Sequence, residues 1–188
     1  MSNKVLIIQA ENCTGCRMCE LACSSTKYGS FIPERSCIKI ITNGLEGWSR
    51  PLVCVQCEEP LCMDACPTGA IYKKKTSNGE LIVDFNSDLC TSCQQCIEAC
   101  PFGAIEFSKD IKIIKCDLCD GSPKCVEFCS YKCLEFYELP EKYYIKRSNT
   151  IKSLANSAVG KINDLNSHQR RVKYSLDLAN ITTISKVK

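Results

Sequence analysis

The chain has 188 residues, and 18 of them are cysteine, a density that leaves a disulfide scaffold, a metal protein or a cluster protein. The 45% hydrophobic content counts those cysteines and there is a single Trp, so a conventional apolar core is thin and something else must hold the fold. The net charge of +3 divides unevenly: residues 1–140 hold 14 Lys and Arg against 18 Asp and Glu, residues 141–188 hold 10 against 3, and the anionic front part argues against nucleic acid as its partner.

The first apolar run, Val5–Ile8, is too short for the apolar region of an export signal and no cleavage site follows it; it reads as a strand. No stretch approaches the ~20 apolar residues of a membrane span. A soluble, cytoplasmic protein is expected, in a compartment where thiols stay reduced. Cysteine group one comes next, Cys13-x2-Cys16-x2-Cys19-x3-Cys23, followed by Ser24. After the β-rich Ile38–Ile41 comes group two, Cys54-x2-Cys57-x4-Cys62-x3-Cys66, followed by Pro67. The basic run Lys73–Lys75 reads as a solvated part of a hairpin. The turn Asn78-Gly79 and the strand Leu81–Asp84 lead into group three, Cys90-x2-Cys93-x2-Cys96-x3-Cys100, followed by Pro101. Ala104–Phe107 and Ile111–Ile114 form a predicted hairpin across Ser108-Lys109-Asp110. Group four is Cys116-x2-Cys119-x5-Cys125-x3-Cys129, followed by Ser130. Around each fourth cysteine only short helices fit.

From Glu141 the cysteines stop. Ile151, Leu154, Ala155, Ala158, Val159, Ile162 and Leu165 follow the spacing of an amphipathic helix, with Ser148, Asn149 or Thr150 as its cap. Gly160 weakens that helix by ~1 kcal/mol. Beyond Asn166 the chain is polar and reads as loosely ordered.

Four cysteine groups at roughly even intervals are an internal repeat. A four-iron cube needs four thiolates, one per iron. In C-x2-C-x2-C the chain winds round three corners, and the fourth cysteine ligates a neighbouring cube. Zinc has no use for a third cysteine at that interval, nor for the following x3-C-P. Crossed pairing then gives four [4Fe–4S] sites. The inner pair is Cys54, Cys57, Cys62 with Cys100, and Cys90, Cys93, Cys96 with Cys66. The outer pair is Cys13, Cys16, Cys19 with Cys129, and Cys116, Cys119, Cys125 with Cys23. The expected fold is α+β: nested ferredoxin-like units of short hairpins and short helices around four cubanes, with a C-terminal helical tail. The inner unit covers about residues 49–103 inside a 1–140 domain, and 141–188 is a basic, partly helical extension.

Over about residues 4–138 the chain resembles the four-cluster subunits of dimethyl-sulfoxide-reductase, formate-dehydrogenase and hydrogenase type oxidoreductases. The resemblance rests on Cys13-Thr14-Gly15-Cys16 through Cys23-Ser24, on Cys54-Val55-Gln56-Cys57-Glu58-Glu59-Pro60-Leu61-Cys62, and on Cys66-Pro67-Thr68-Gly69-Ala70-Ile71. The opening CTGCRMCELACS and the late CDLCDGSPKCVEFC are most similar to soluble subunits that accompany tungsten aldehyde oxidoreductases, carbon monoxide dehydrogenases and benzoyl-CoA reductases. The resemblance implies a non-catalytic, anaerobic electron-transfer subunit between a tungsten, molybdenum or nickel catalytic subunit and a ferredoxin, flavin or nicotinamide-linked partner. A free polyferredoxin carrier is the alternative. Where the family often has C-P-T-G-A, this chain has Cys129-Ser130-Tyr131-Lys132-Cys133, and the x3 spacing favours Cys129 as the ligand.

Cys37 and Cys133 are left over and read as small buried thiols. Arg17 lies inside the first cluster loop. His168, the only histidine, reads as solvated. The tail stripe has three readings: packing on its own domain, docking to a partner subunit or a second copy, and membrane-surface binding. The sequence holds no haem-attachment motif, no dinucleotide fingerprint and no P-loop.

Overall fold

The computed structural model describes residues 4–159 and 165–182. Eight strands and six α-helices follow in chain order: β1 (Lys4–Ile8), α1 (Met18–Tyr28), β2 (Lys39–Asn43), β3 (Trp48–Leu52), α2 (Leu61–Asp64), β4 (Ile71–Lys75), β5 (Leu81–Phe85), α3 (Gln95–Ala99), β6 (Glu106–Ser108), β7 (Lys112–Ile114), α4 (Lys124–Glu127), β8 (Leu134–Glu138), α5 (Glu141–Val159) and α6 (Ser167–Thr182). The result is a small mixed α and β fold. The strands pair into four separate two-stranded antiparallel ribbons. Three are local hairpins. The fourth joins β1 to β8, with Lys4 opposite Glu138 and Ile8 opposite Leu134, so cysteine groups one and four meet at one end.

Isolated two-stranded ribbons are marginal by themselves and need packing behind them. Leu52, Val55, Ile71, Val83, Phe102 and Ile105 form one core; Leu6, Ile8, Ile38, Ile40, Ile114 and Leu134 form a second. Cysteines of groups two and three border the first, and those of groups one and four the second. β3 escaped the sequence reading because Pro51 interrupts its apolar pattern. It sits opposite Ile40 in a ribbon with a free edge, where a missing N–H is tolerated.

The expectation that only short helices fit around each fourth cysteine holds for groups two to four and fails for group one. In groups two and three a proline follows, and α2 and α3 are single turns. In group one Ser24 stands there, and α1 runs on for 11 residues to Tyr28. Ser24 keeps its N–H and its hydroxyl donates to Leu21 O at 3.2 Å, whereas a proline at that place would remove a helical hydrogen bond. α1 ends on Gly29 at φ +64, the left-handed cap that glycine adopts without a steric penalty.

The tail differs from expectation at both ends. α5 begins at Glu141, after Pro140, well before the predicted cap at residues 148–150. Its first turns are anchored by a charged residue, Arg147, which is buried, so hydrophobic periodicity could not register them. The loosely ordered reading beyond Asn166 is overturned: α6 is a helix of 16 residues. It carries the buried Arg170, Arg171 and Tyr174. Gly160 and Ile162 lie outside the described residues. Ile151, Ala155, Ala158 and Tyr174 join the first core, and the Tyr174 ring meets Phe102 edge-on, 6.2 Å between centroids. Of the three readings for the stripe, the geometry therefore has these side chains packed on the chain's own front part. Among the described residues no helix is long and apolar enough to cross a membrane.

Candidate functional site

None of the 18 cysteines is in a disulfide. Sixteen of them gather in four quartets. Cys13, Cys16, Cys19 and Cys129 line one cavity, and Cys54, Cys57, Cys62 and Cys100 line another. Burial pushes the Cys19 thiol up to about 12, with further repulsion from Glu20 and then from Cys13, Cys16 and Cys129. Burial likewise takes Cys57 to about 12, with Cys54 and Cys100 adding to it. Cys96 rises to about 11 through burial and the charges of Cys66, Cys90 and Cys93. Cys125 is raised well above its ordinary value by burial, then by Cys116, Cys23 and Cys119. In each case three cysteines of one group lie near the fourth cysteine of another. Thiols so buried and so close resist ionising together unless a cation compensates them. Among the described residues, no three His, Cys, Asp or Glu converge tightly enough to hold a single metal ion. The Cys13/Cys16/Cys19/Cys129 and Cys54/Cys57/Cys62/Cys100 quartets each enclose a cavity, and four thiolates around a cavity fit a cube with an iron at each corner.

Local backbone conformation shapes each quartet. The second linker residue between the first two cysteines is left-handed in every group: Gly15 at φ +71, Gln56 at +53, Ser92 at +60 and Leu118 at +53. Arg17 and Gln94 repeat that conformation after the second cysteine of groups one and three. Such residues curl the chain and turn amides toward sulfur. Ser92 N–H donates to Cys90 Sγ and Leu118 N–H to Cys116 Sγ, each at 3.4 Å. Ala104 N–H donates to Cys100 Sγ at 3.4 Å and Cys37 N–H to Cys23 Sγ at 3.3 Å. A left-handed residue also stands three places after the fourth cysteine in groups two to four: Gly69, Gly103 and Lys132. Their N–H groups reach back to Cys66 O, Cys100 O and Cys129 O at 3.3, 3.3 and 3.1 Å. Cys129 therefore occupies the turn that Cys66 and Cys100 occupy, although Ser130 replaces proline.

Three pairs of quartets adjoin. α1 carries both Cys19 and Cys23, and Cys125 feels Cys19 across the outer pair. Cys116 feels Cys54, so the Cys116 quartet adjoins the Cys54 quartet. α3 carries Cys96 and is capped by Cys100, linking the inner pair. Only the terminal quartets hold an exposed thiol, Cys16 at one end and Cys93 at the other.

Both leftover cysteines are buried against quartet members. The Cys37 thiol hydrogen-bonds Cys23, and with burial opposing and Cys37 N–H assisting, this pulls Cys23 down to about 6. Cys133 does the same for Cys13, which also falls to about 6. Sequence reasoning missed two further groups. Lys115 is buried, its Nζ donating to Val83 O and, at 3.0 Å, to Cys116 O. Arg147 is buried and donates to Val55 O at 3.1 Å. The only sequence signal for Arg147 is its position four residues before Ile151, on the face of the stripe. His168 is exposed.

Comparison with known proteins gives two family matches, a 4Fe-4S dicluster domain over residues 53–104 and a 4Fe-4S binding domain over residues 10–29. Formate hydrogenlyase subunit 2 of Escherichia coli (strain K12) is 38% identical over 106 residues, 56% of this chain and 49% of that protein. The same organism's "Putative electron transport protein YsaA" is 34% identical over 122 residues, 61% of this chain and 74% of YsaA. The chain spans about half the length of the first curated relatives it matches. Among solved structures, a chain of the active site complex BamBC of benzoyl coenzyme A reductase, in complex with benzoyl-CoA, aligns at 25% identity with a TM-score of 0.42. That alignment covers 86% of this chain and 97% of that one.

Proposed function

We propose an iron–sulfur electron-relay function for this chain, which belongs to the family of 4Fe–4S ferredoxin-type electron-transfer proteins. Each quartet holds one [4Fe–4S] cluster, and four clusters together supply one-electron steps through the length of the fold. The inner unit, about residues 49–103, is inserted in an outer unit that ends near residue 140. The single observation that supports this reading is the approach of three cysteines of one group to the fourth of another at each site, with the two exposed thiols, Cys16 and Cys93, in different sites. An electron relay needs access at its ends and burial between them.

The chain's own residues have three roles in this reading. The cysteines bind, Cys129 rather than Cys133 completing the first quartet. Left-handed linkers aim amides at sulfur, and hydrogen bonds to sulfur together with burial set cluster potentials. The helices α5 and α6 cover the inner pair. No residue is assigned a bond-making role. The chain serves as a subunit of an anaerobic oxidoreductase complex, as formate hydrogenlyase subunit 2 is a subunit by name. Its proposed partners are a catalytic subunit at one end and a ferredoxin, flavin or nicotinamide-linked protein at the other. We take a tungsten aldehyde oxidoreductase as the catalytic partner, with carbon monoxide dehydrogenase or benzoyl-CoA reductase as alternatives; the motif CTGCRMCELACS is shared by all three and does not separate them. Eighteen free thiols suit the cytoplasm.

The test is elemental analysis of protein purified natively without oxygen, with whatever accompanies it. About sixteen irons per chain, four for each four-iron cluster, is the expected result. Tungsten or molybdenum alongside identifies one partner class and nickel the other. Iron alone in a monomer points to a free carrier. Zinc with little iron would sink the relay.

A further inference from the structure

Four cationic side chains are buried among the described residues: Lys115, Arg147, Arg170 and Arg171. Arg171 is neutralised by an ion pair with Glu106. The other three converge on one quartet. Arg147 acts on Cys57 and Cys54. Lys115 acts on Cys54 and Cys62, and also on Cys116 of the adjoining quartet. Arg170 donates to Cys100 O at 2.8 Å and acts on Cys100. Among the described residues, neither Lys115 nor Arg147 has a carboxylate within ion-pair distance, and the Arg147 Nε has no hydrogen-bond partner. The carboxylate that meets Arg170, Glu98, is 77% exposed and therefore screened. A buried cation is costly without a counter-charge; Asp84 acts on Lys115 and Glu58 on Arg147, each more weakly than the cysteines do, so most of the compensating negative charge comes from the site these residues surround.

The first quartet has the opposite surroundings. Glu20 is buried beside Cys19, its Oε1 accepting from Ile40 N–H at 2.7 Å and its Oε2 without a hydrogen-bond partner. Arg17 Nη1 stands 3.7 Å away and is largely exposed. Accepting an electron adds one negative charge. Buried cations favour that charge and a buried carboxylate opposes it.

We infer that Lys115, Arg147 and Arg170 make the Cys54/Cys57/Cys62/Cys100 site the first in the chain to be reduced, so that electrons rest at an internal position in the relay. This rests on the relay reading and extends it to the order of filling. The basic C-terminal extension thereby gains a function, because α5 and α6 supply two of the three charges as positioning residues for the electron. Of the four sites, this one has the highest potential, and the Cys13/Cys16/Cys19/Cys129 site lies below it.

The experiment is a redox titration followed by electron paramagnetic resonance on the natively purified protein, with iron counted in every sample. The variants are Arg147→Met, Arg147→Lys and Lys115→Met. One cation at roughly 10 Å in a medium of effective dielectric about 20 changes occupancy on the order of tenfold. At the potential where the wild-type leading component is half reduced, the Arg147→Met oxidised-to-reduced ratio should therefore rise about tenfold, a downward shift of about 59 mV for one electron. Lys115→Met should move the same component downward. Arg147→Lys keeps the charge and should leave it in place, which a merely structural role for the side chain would not predict. The inference is overturned if the methionine variants, at full iron, leave the leading component unmoved or move only the lowest one. If Arg147→Met loses iron, the shift in Lys115→Met decides between these outcomes. Failure of the relay reading looks different: the wild-type protein itself lacks iron or a paramagnetic reduced state.

Discussion

Arg170 carries the sharpest stability prediction. Its side chain is fully buried, with Nη1 donating to the carbonyls of Ile97 and Glu98 at 3.0 Å and of Cys100 at 2.8 Å, and Nε donating to Leu165 O at 3.0 Å. The first three acceptors end the short helix α3, whose last carbonyls have no partner within the helix. A single side chain from α6 thus caps α3 and ties the tail to the fold. Arg170→Met keeps much of the apolar stem and removes every donor. Ile97 O and Cys100 O keep the Cys100 and Gly103 N–H donors, whereas leaving Glu98 O and Leu165 O unpaired costs about 1–3 kcal/mol each. The exposed Glu98 contact adds little. With partial relaxation we expect a loss of about 3–5 kcal/mol, the range for breaking one side of a buried charged contact. For a chain of this size each kcal/mol is worth about 2–4 °C in Tm, so a drop on the order of 10 °C is expected. The assay is far-ultraviolet circular dichroism under argon at fixed scan rate, paired with hydrogen exchange across residues 167–182. A shift of less than about 2 °C, with α6 amides still protected, would refute the capping argument.

The remaining predictions concern the turns and the ligands. Gly103 and Gly69 are both left-handed, at φ +64 and +65, but a Cβ at Gly103 would collide with the Ser167 carbonyl whereas Gly69 faces open space. Gly69→Ala should cost only the strain of about 1–2 kcal/mol, and Gly103→Ala that strain plus loss of α6 docking; equal Tm losses would contradict the contact. Lys132, at φ +50, takes the place of those glycines. Lys132→Gly should therefore raise Tm by about 2–6 °C, and a fall would show that its turn is not under strain. Cys129→Ser should lower iron by about one cluster's share of four, while Cys133→Ser keeps it; the reverse pattern, read by iron analysis and absorbance, would exchange the two assignments. Removing iron by anaerobic chelation should abolish the native circular dichroism spectrum, since ligand bonds substitute for core, and a full native spectrum without iron would show that the two apolar clusters suffice.

The cysteine spacings by themselves specified the four groups and the iron–sulfur chemistry; the crossed combination was an inference from the tight winding of C-x2-C-x2-C in groups one and three, extended to groups two and four. The expectation of only short helices around each fourth cysteine failed at α1, which runs on through Ser24 for 11 residues, and serine alone does not explain it, since α4 is a single turn although Ser130 follows Cys129. What the sequence could not supply is everything that depends on charge in three dimensions. Arg147, Arg170 and Lys115 look like solvated cations in a linear reading, since periodicity arguments track apolar side chains and treat Arg and Lys as surface. Only packing reveals that they are buried, because their partners lie far along the chain: Val55 for Arg147, Ile97 to Cys100 for Arg170, Val83 for Lys115. The turn that favours Cys129 over Cys133 is tertiary information of the same kind, a backbone angle at Lys132 that no residue preference would have suggested. The cysteine grouping was local and therefore legible. The electrostatic surroundings that rank the sites are non-local, and only the folded chain decides them.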